Sequence, residues 1–92
     1  MAVDETKVAE DWRERGYSCR MWTAFPGQAW NDYAYDVDTL IMLLDGDVEI
    51  EVEGQRITPE PGAEIPVPAG ARHSVRANGA DMARLFFGRR KS

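Results

Sequence analysis

The chain has 92 residues, of which 43% are hydrophobic and 29% charged, and its formal net charge at pH 7 is -5. This length and balance fit one globular domain and exclude a disordered or collagen-like chain. The acidic excess without a basic stripe argues against a nucleic-acid partner, and the longest wholly apolar run, Leu40 to Leu44, is far shorter than the roughly 20 residues of a membrane-spanning helix.

The first fifteen residues predict a short helix. Val8 and Trp12 are four positions apart with charged residues between them, and Gly16 stands where a helix can stop. We therefore expect a helix from about Asp4 to Arg15, so that 1–15 forms a helical segment and 16–92 the main domain. This charged segment lacks the apolar centre of a signal peptide, and the single Cys19 cannot form an internal disulfide, so we expect a cytoplasmic protein.

The spacing of the glycines predicts β-structure in the rest of the chain. Six of the eight glycines lie at positions 46, 54, 62, 70, 79 and 88, an interval typical of turns between the short strands of an all-β sandwich or barrel. Val48, Ile50 and Val52 alternate with glutamates, which predicts a half-buried strand. The prolines between 59 and 68 confine that stretch to turns and an edge strand, because proline cannot donate to a β-ladder.

A second alternating strand is predicted to begin at His73. Val75 and Ala77 share its parity, whereas Ser74 and Arg76 take the other face. We therefore expect the imidazole of His73 to point into the interior.

The spacing of Gly62, Pro68, Gly70 and His73, GxxxxxPxGxxH, resembles the second motif of the cupin superfamily of small β-barrels. The resemblance implies an all-β fold, a cupin-type double-stranded β-helix or jelly-roll barrel, over about residues 16–88 after the short helix. It places His73 at the barrel mouth, where cupins commonly hold a metal ligand. The family has an asparagine four residues after this histidine, and here that position is Ala77.

The first cupin motif is altered. In the family it comprises two histidines separated by one residue, a glutamate, and a glycine seven positions later. With Gly46 as the anchor, the three ligand positions are Tyr33, Tyr35 and Thr39. Because these positions share one strand parity, we expect all three to face the interior beside His73 and to bind a ligand.

The residues available predict neither a metal nor a cofactor. A tightly held transition metal needs three or four imidazole, thiolate or carboxylate ligands, and the chain has one histidine. A phenol with a pKa of about 10 is a poor ligand at neutral pH, and Asp32, Asp36 and Asp38 have the outward parity in a regular strand. An alternative role for His73 is a neutral, hydrogen-bonded core imidazole, with the tyrosines filling the interior.

Three functions remain open at this point. The first is a metal-independent barrel that binds a small molecule through Tyr33, Tyr35, Thr39 and His73. The second is a cupin enzyme, either a metal-dependent oxygenase or isomerase, or a metal-free one with His73 as general base and Tyr35 as general acid. The third is a dimeric scaffold, and we expect a homodimer because so small a core gains from added burial.

Overall fold

The computed structural model describes residues 3–91, which form one helix, α1 (Glu5–Glu14), and eight strands. The strands are β1 (Arg20–Ala24), β2 (Ala29–Tyr33), β3 (Thr39–Asp45), β4 (Val48–Val52), β5 (Gln55–Ile57), β6 (Glu64–Val67), β7 (His73–Ala77) and β8 (Ala83–Arg89). The predicted helix is confirmed. Asp4 caps its first turn by accepting a hydrogen bond from the backbone N–H of Lys7 at 3.1 Å.

The strands form two antiparallel sheets of four strands each. The first has the order β1-β8-β3-β6 and the second the order β2-β7-β4-β5. Consecutive strands mostly alternate between the sheets, an arrangement consistent with an all-β jelly roll. Within residues 3–91, no helix has the length and apolar character needed to cross a membrane.

The main core lies between the two sheets. Ile41 and Leu85 of the first sheet and Ile50 and Val75 of the second are buried in one cluster. The predicted alternation in β4 is confirmed, since Val48 and Ile50 are buried while Glu49 and Glu51 are more exposed. The apolar side chains that face the interior are buried against those of the other sheet, and this burial holds the two sheets together.

The helix forms a third layer on the outer face of the first sheet. Trp12 is fully buried there, in a cluster with Leu40, Met42, Leu44 and Phe86. Its indole Nε1 donates to Oε1 of Glu64 at 3.0 Å. Because the helix covers one face of β3 and the main core covers the other, residues 39–44 are all buried, which explains the continuous apolar run in the sequence.

The proline-rich stretch forms an edge strand, as predicted. Strand β6 contains Pro66 and lies at one end of the first sheet, beside β3. An edge position tolerates a residue that has no backbone donor.

Candidate functional site

A cavity of about 380 Å³ lies between the two sheets, on the side where β1 and β2 are the edge strands. It is lined by Arg20, Met21, Trp22 and Phe87 from the first sheet, Trp30, Tyr33, His73 and Val75 from the second, and Tyr35 from the β2–β3 loop. The volume falls within the range of small-molecule sites, and most of the lining is aromatic or aliphatic.

A tight turn before β7 positions both His73 and Tyr35. The backbone N–H of Ala71 donates to the carbonyl of Pro68 at 3.0 Å, and Gly70 has a φ of 82°, the geometry of a type II turn that favours glycine. The N–H of Gly70 donates to the carbonyl of Tyr35 at 2.7 Å. The second cupin-like motif therefore starts the strand of His73 and also holds the loop that carries Tyr35.

A β-bulge in β2 brings Tyr33 onto the cavity side. Trp30 pairs with Val75 and Tyr33 with His73, so the register shifts between the two pairs. Within this bulge Asp32 has a φ of 57°, and its N–H donates to Oγ of Ser74 at 3.1 Å. Because the bulge adds one residue, Trp30 and Tyr33 both line the cavity although regular alternation would separate them.

The aromatic rings contact one another around the cavity. Trp22 and Trp30 have ring centroids 4.0 Å apart, and Trp22 meets Phe87 edge-on at 6.1 Å. Tyr35 lies 5.8 Å from Phe87 and 5.5 Å from the imidazole of His73. Edge-to-face packing of this kind fixes the orientation of the rings and presents apolar faces to an occupant.

His73 is the buried polar group of this wall. The side chain is 4% exposed, and Nδ1 has no hydrogen-bond partner among residues 3–91. Burial lowers its pKa below the usual 6.5, and the backbone carbonyls of Ala71 and Tyr33 oppose this shift. Burial therefore favours the neutral form of the imidazole, and Nδ1 is the ring nitrogen left without a partner in this wall.

The structure brings together three of the four predicted site residues. Tyr33, Tyr35 and His73 line the same cavity, whereas Thr39 is buried, does not line the cavity, and donates from Oγ1 to the carbonyl of Val37 at 3.4 Å. The expectation of one regular strand through positions 33, 35 and 39 is wrong, because β2 ends at Tyr33 and β3 begins at Thr39. Ser74 lies with Glu51 and Glu53 in one recess, as expected for the face opposite His73, although it is buried and accepts a hydrogen bond from the N–H of Asp32.

Several lining residues were not assigned to the site from sequence. Trp22, Trp30 and Phe87 supply much of the aromatic wall. The number of tryptophans was consistent with a pocket, but also with a core or a subunit contact. For Phe87 the available signal is alternation in β8, where Phe86 faces the helix layer and Phe87 packs on the opposite side.

The donor set at this site does not fit a transition metal. Among residues 3–91, no group of three or more His, Cys, Asp or Glu side chains is placed to hold an ion. Asp32 borders a second recess, which His73 also lines together with Glu51 and Glu53, and Asp38 accepts from the N–H of Ala69 at 2.9 Å. One imidazole with two phenols is a poor set of ligands for zinc, iron or manganese.

Known structures with the same architecture include several cupins. A cupin-2 domain protein of Rhodospirillum rubrum is 16% identical with a TM-score of 0.75 over 84% of this chain and 52% of its own. The TT1209 protein of Thermus thermophilus is 22% identical with a TM-score of 0.72 over 98% of this chain and 97% of its own. A structure of DMSP lyases matches at 17% identity and a TM-score of 0.74 over 83% of this chain and 39% of its own.

No protein-family model matches the sequence, and a search of curated proteins gives no significant match. The chain spans about half of the Rhodospirillum protein and about two fifths of the lyase structure. At these identities the likeness concerns the fold, and the chain has the fold of small cupins. The resemblance to cupins predicted from the spacing of Gly62 to His73 is thereby confirmed at the level of the fold.

Proposed function

We propose that this protein is a jelly-roll barrel that binds a small organic molecule in the cavity between its sheets, without a metal ion. The observation that carries the proposal is the convergence of Tyr33, Tyr35 and His73 on a cavity whose remaining wall is aromatic and aliphatic. Two of the three first-motif positions, Tyr33 and Tyr35, line this cavity as phenols beside the imidazole of His73.

The partial burial of the lining favours a ligand over an empty recess. Tyr33 is 45% exposed and Met21 is 49% exposed, at the edge of the cavity. Apolar surface that is open to water gains free energy when an occupant covers it, by about 25 cal/mol for each Å² removed from water. The unpartnered Nδ1 of His73 is the kind of buried polar group that functional sites retain.

The three indole groups of the chain allow a direct test by NMR. Trp22 and Trp30 line the cavity, whereas the indole N–H of Trp12 is bonded to Glu64 in the helix layer. We expect a neutral aromatic probe, 2-naphthamide, to shift the indole signals of Trp22 and Trp30 in a saturable manner and to leave that of Trp12 unchanged. Equal shifts of all three signals would overturn the proposal, and so would the absence of any shift with both 2-naphthamide and its anionic analogue 2-naphthoate up to their solubility limits.

Two adjacent phenylalanines in β8 provide matched variants. Phe87 lines the cavity and Phe86 packs under the helix. We expect Phe87→Leu to weaken binding of 2-naphthamide by roughly three- to tenfold through lost contact area. Phe86→Leu should lower the free energy of unfolding by about 1 kcal/mol and leave binding unchanged. Equal effects of the two variants on binding would contradict a site at the cavity.

A metal-free acid–base enzyme is the second candidate, favoured by the neutral state of His73. A neutral imidazole accepts a proton, and the phenol of Tyr35 lies beside it with ring centroids 5.5 Å apart. The test is exchange of α-hydrogens of small carbonyl compounds for deuterium by protein treated with a chelator. Exchange above the buffer rate that is lost in His73→Gln supports the enzyme, and a rate equal to buffer in a broad set of compounds counts against it.

A further inference from the structure

We infer that the ligand of this cavity is an organic anion with an apolar, aromatic-sized body, whose carboxylate is received by Arg20. This inference rests on the proposed function and adds the chemical class of the ligand. It is carried by the position of basic side chains at one side of an otherwise apolar cavity.

Arg20 is the cationic group that belongs to the cavity itself. It pairs in register with Phe87 across β1 and β8, lines the cavity, and is exposed. Within residues 3–91 it forms no ion pair or side-chain hydrogen bond, whereas Arg15, Arg76 and Arg84 each hold a carboxylate at 3.2 Å or less. A guanidinium with no internal partner at the edge of an apolar cavity can receive a carboxylate in a two-pronged hydrogen bond.

The basic character extends beyond Arg20. An adjoining recess shares Arg20, Tyr35 and Phe87 with the cavity and is also lined by Arg89, Arg90 and Lys91, with one carboxylate, Asp36. Four of the eleven basic residues of an acidic chain thus lie around one recess. Such a local concentration of positive charge favours an anion at this edge against the net charge of the whole molecule.

The same features disfavour a cationic occupant, which an aromatic cavity could otherwise attract. Sites for onium ions use aromatic faces, but here the guanidinium of Arg89 already lies 4.9 Å from the ring centroid of Tyr35. No aspartate or glutamate lines the cavity within the described part of the chain. A cation entering it would meet Arg20 and Arg89 without a compensating carboxylate.

The size of the cavity limits the ligand. At about 30 Å³ for each water-sized group, 380 Å³ holds about a dozen such groups. This matches a bicyclic aromatic body with one short acidic group, and excludes nucleotides and long acyl chains as ligands held entirely in the cavity.

The test compares three probes of one shape by calorimetry at low salt: 2-naphthoate, neutral 2-naphthamide and cationic 2-naphthylmethylammonium. We expect the anion to bind about tenfold more tightly than the amide, equivalent to about 1.4 kcal/mol, and the cation more weakly than both. Arg20→Gln should abolish the preference for the anion over 2-naphthamide. Arg56→Gln is the control, because Arg56 is exposed on β5 at the opposite end of the second sheet.

Each result has a separate meaning. Equal affinity for the anion and the amide, or tighter binding of the cation, overturns this inference and leaves the proposed binding function in place. A preference for the anion that is the same in Arg20→Gln and Arg56→Gln also overturns it, because the charge recognised is then not Arg20. Failure of all three probes to bind contradicts the proposed function itself.

Discussion

His73 is the only histidine of the chain, and its imidazole is enclosed in the wall of the cavity. Burial lowers its pKa below 6.5, and the carbonyls of Ala71 and Tyr33 act in the opposite direction. We therefore expect a titration of the single imidazole signal by NMR to give a midpoint below 6.5. A midpoint at or above 6.5 would show that the charged form is stabilised, which contradicts the neutral state on which the acid–base candidate depends.

This shift also affects folding. The unfolded chain binds a proton at His73 more readily than the folded chain does, so the free energy of unfolding decreases as the pH falls through 6.5 toward the lower folded pKa. Above pH 6.5 the contribution of His73 to the free energy of unfolding no longer changes with pH. The variant His73→Gln should lack this part of the pH dependence, and urea titrations at pH 7.5 and 5.5 measure the difference.

The individual site residues show what the sequence can predict. The spacing from Gly62 to His73 correctly predicted an inward histidine, because a type II turn followed by a short strand leaves little freedom of direction. Tyr33 and Tyr35 also lie where the motif indicated, but for another reason: a bulge at Asp32 and a loop after β2 position them. Such a bulge depends on a hydrogen bond to Ser74. This contact joins positions far apart in the sequence, so the alternation within one strand cannot predict it.

At the scale of elements, the attachment of α1 depends on one carboxylate of the edge strand β6. Glu64 accepts from both terminal nitrogens of Arg15, at 2.8 and 2.9 Å, and from the indole of Trp12. The hydrogen bond from Arg15 is the largest influence on the pKa of Glu64 and lowers it below its usual 4.5. Burial is the second influence and acts in the opposite direction. The charged carboxylate therefore stabilises the packing of the helix on the first sheet.

We expect Glu64→Gln to lower the free energy of unfolding by about 1 kcal/mol at pH 7, since the pair is partly exposed. Because the folded pKa is lowered, the advantage of the carboxylate is present above about 4.5 and disappears as the pH falls through the folded value. Urea unfolding at pH 7 and pH 3 measures this. The control Asp11→Asn removes the other, helical partner of Arg15 and should cost at most about 0.5 kcal/mol. If the free energies of unfolding of wild type and Glu64→Gln differ by as much at pH 3 as at pH 7, this role of the carboxylate is contradicted.

The elements themselves were largely predictable. The helix, the alternating strand β4 and the proline-containing edge strand follow from local periodicity and from the chemistry of proline. The pairing of strands and the layer formed by α1 do not, because they depend on contacts such as that of Trp12 with Glu64, 52 positions apart. Local sequence patterns predict whether a segment forms a helix or a strand. The order of the strands in a sheet is determined by the packing of the whole chain.

For the whole molecule, the association state and the cytoplasmic location stay predictions. The chain weighs 10.4 kDa, and Met21, Phe25 and Met82 are each about half exposed. Covering such apolar side chains in a second subunit adds burial that a small domain lacks. We expect sedimentation at micromolar concentration to give about 21 kDa, twice the mass of one chain. A single species of about 10 kDa would contradict the homodimer.

The central claim is that the interior between the sheets receives an organic molecule at the place where cupins hold a metal. A crystal structure of chelator-treated protein with 2-naphthoate tests this most directly. We expect density for the naphthalene ring in the cavity, against Trp22 and Phe87, with its carboxylate toward Arg20 and no ion on the imidazole of His73. A cavity filled by the protein's own side chains with the probe absent, or a metal ion retained at His73, would contradict the claim.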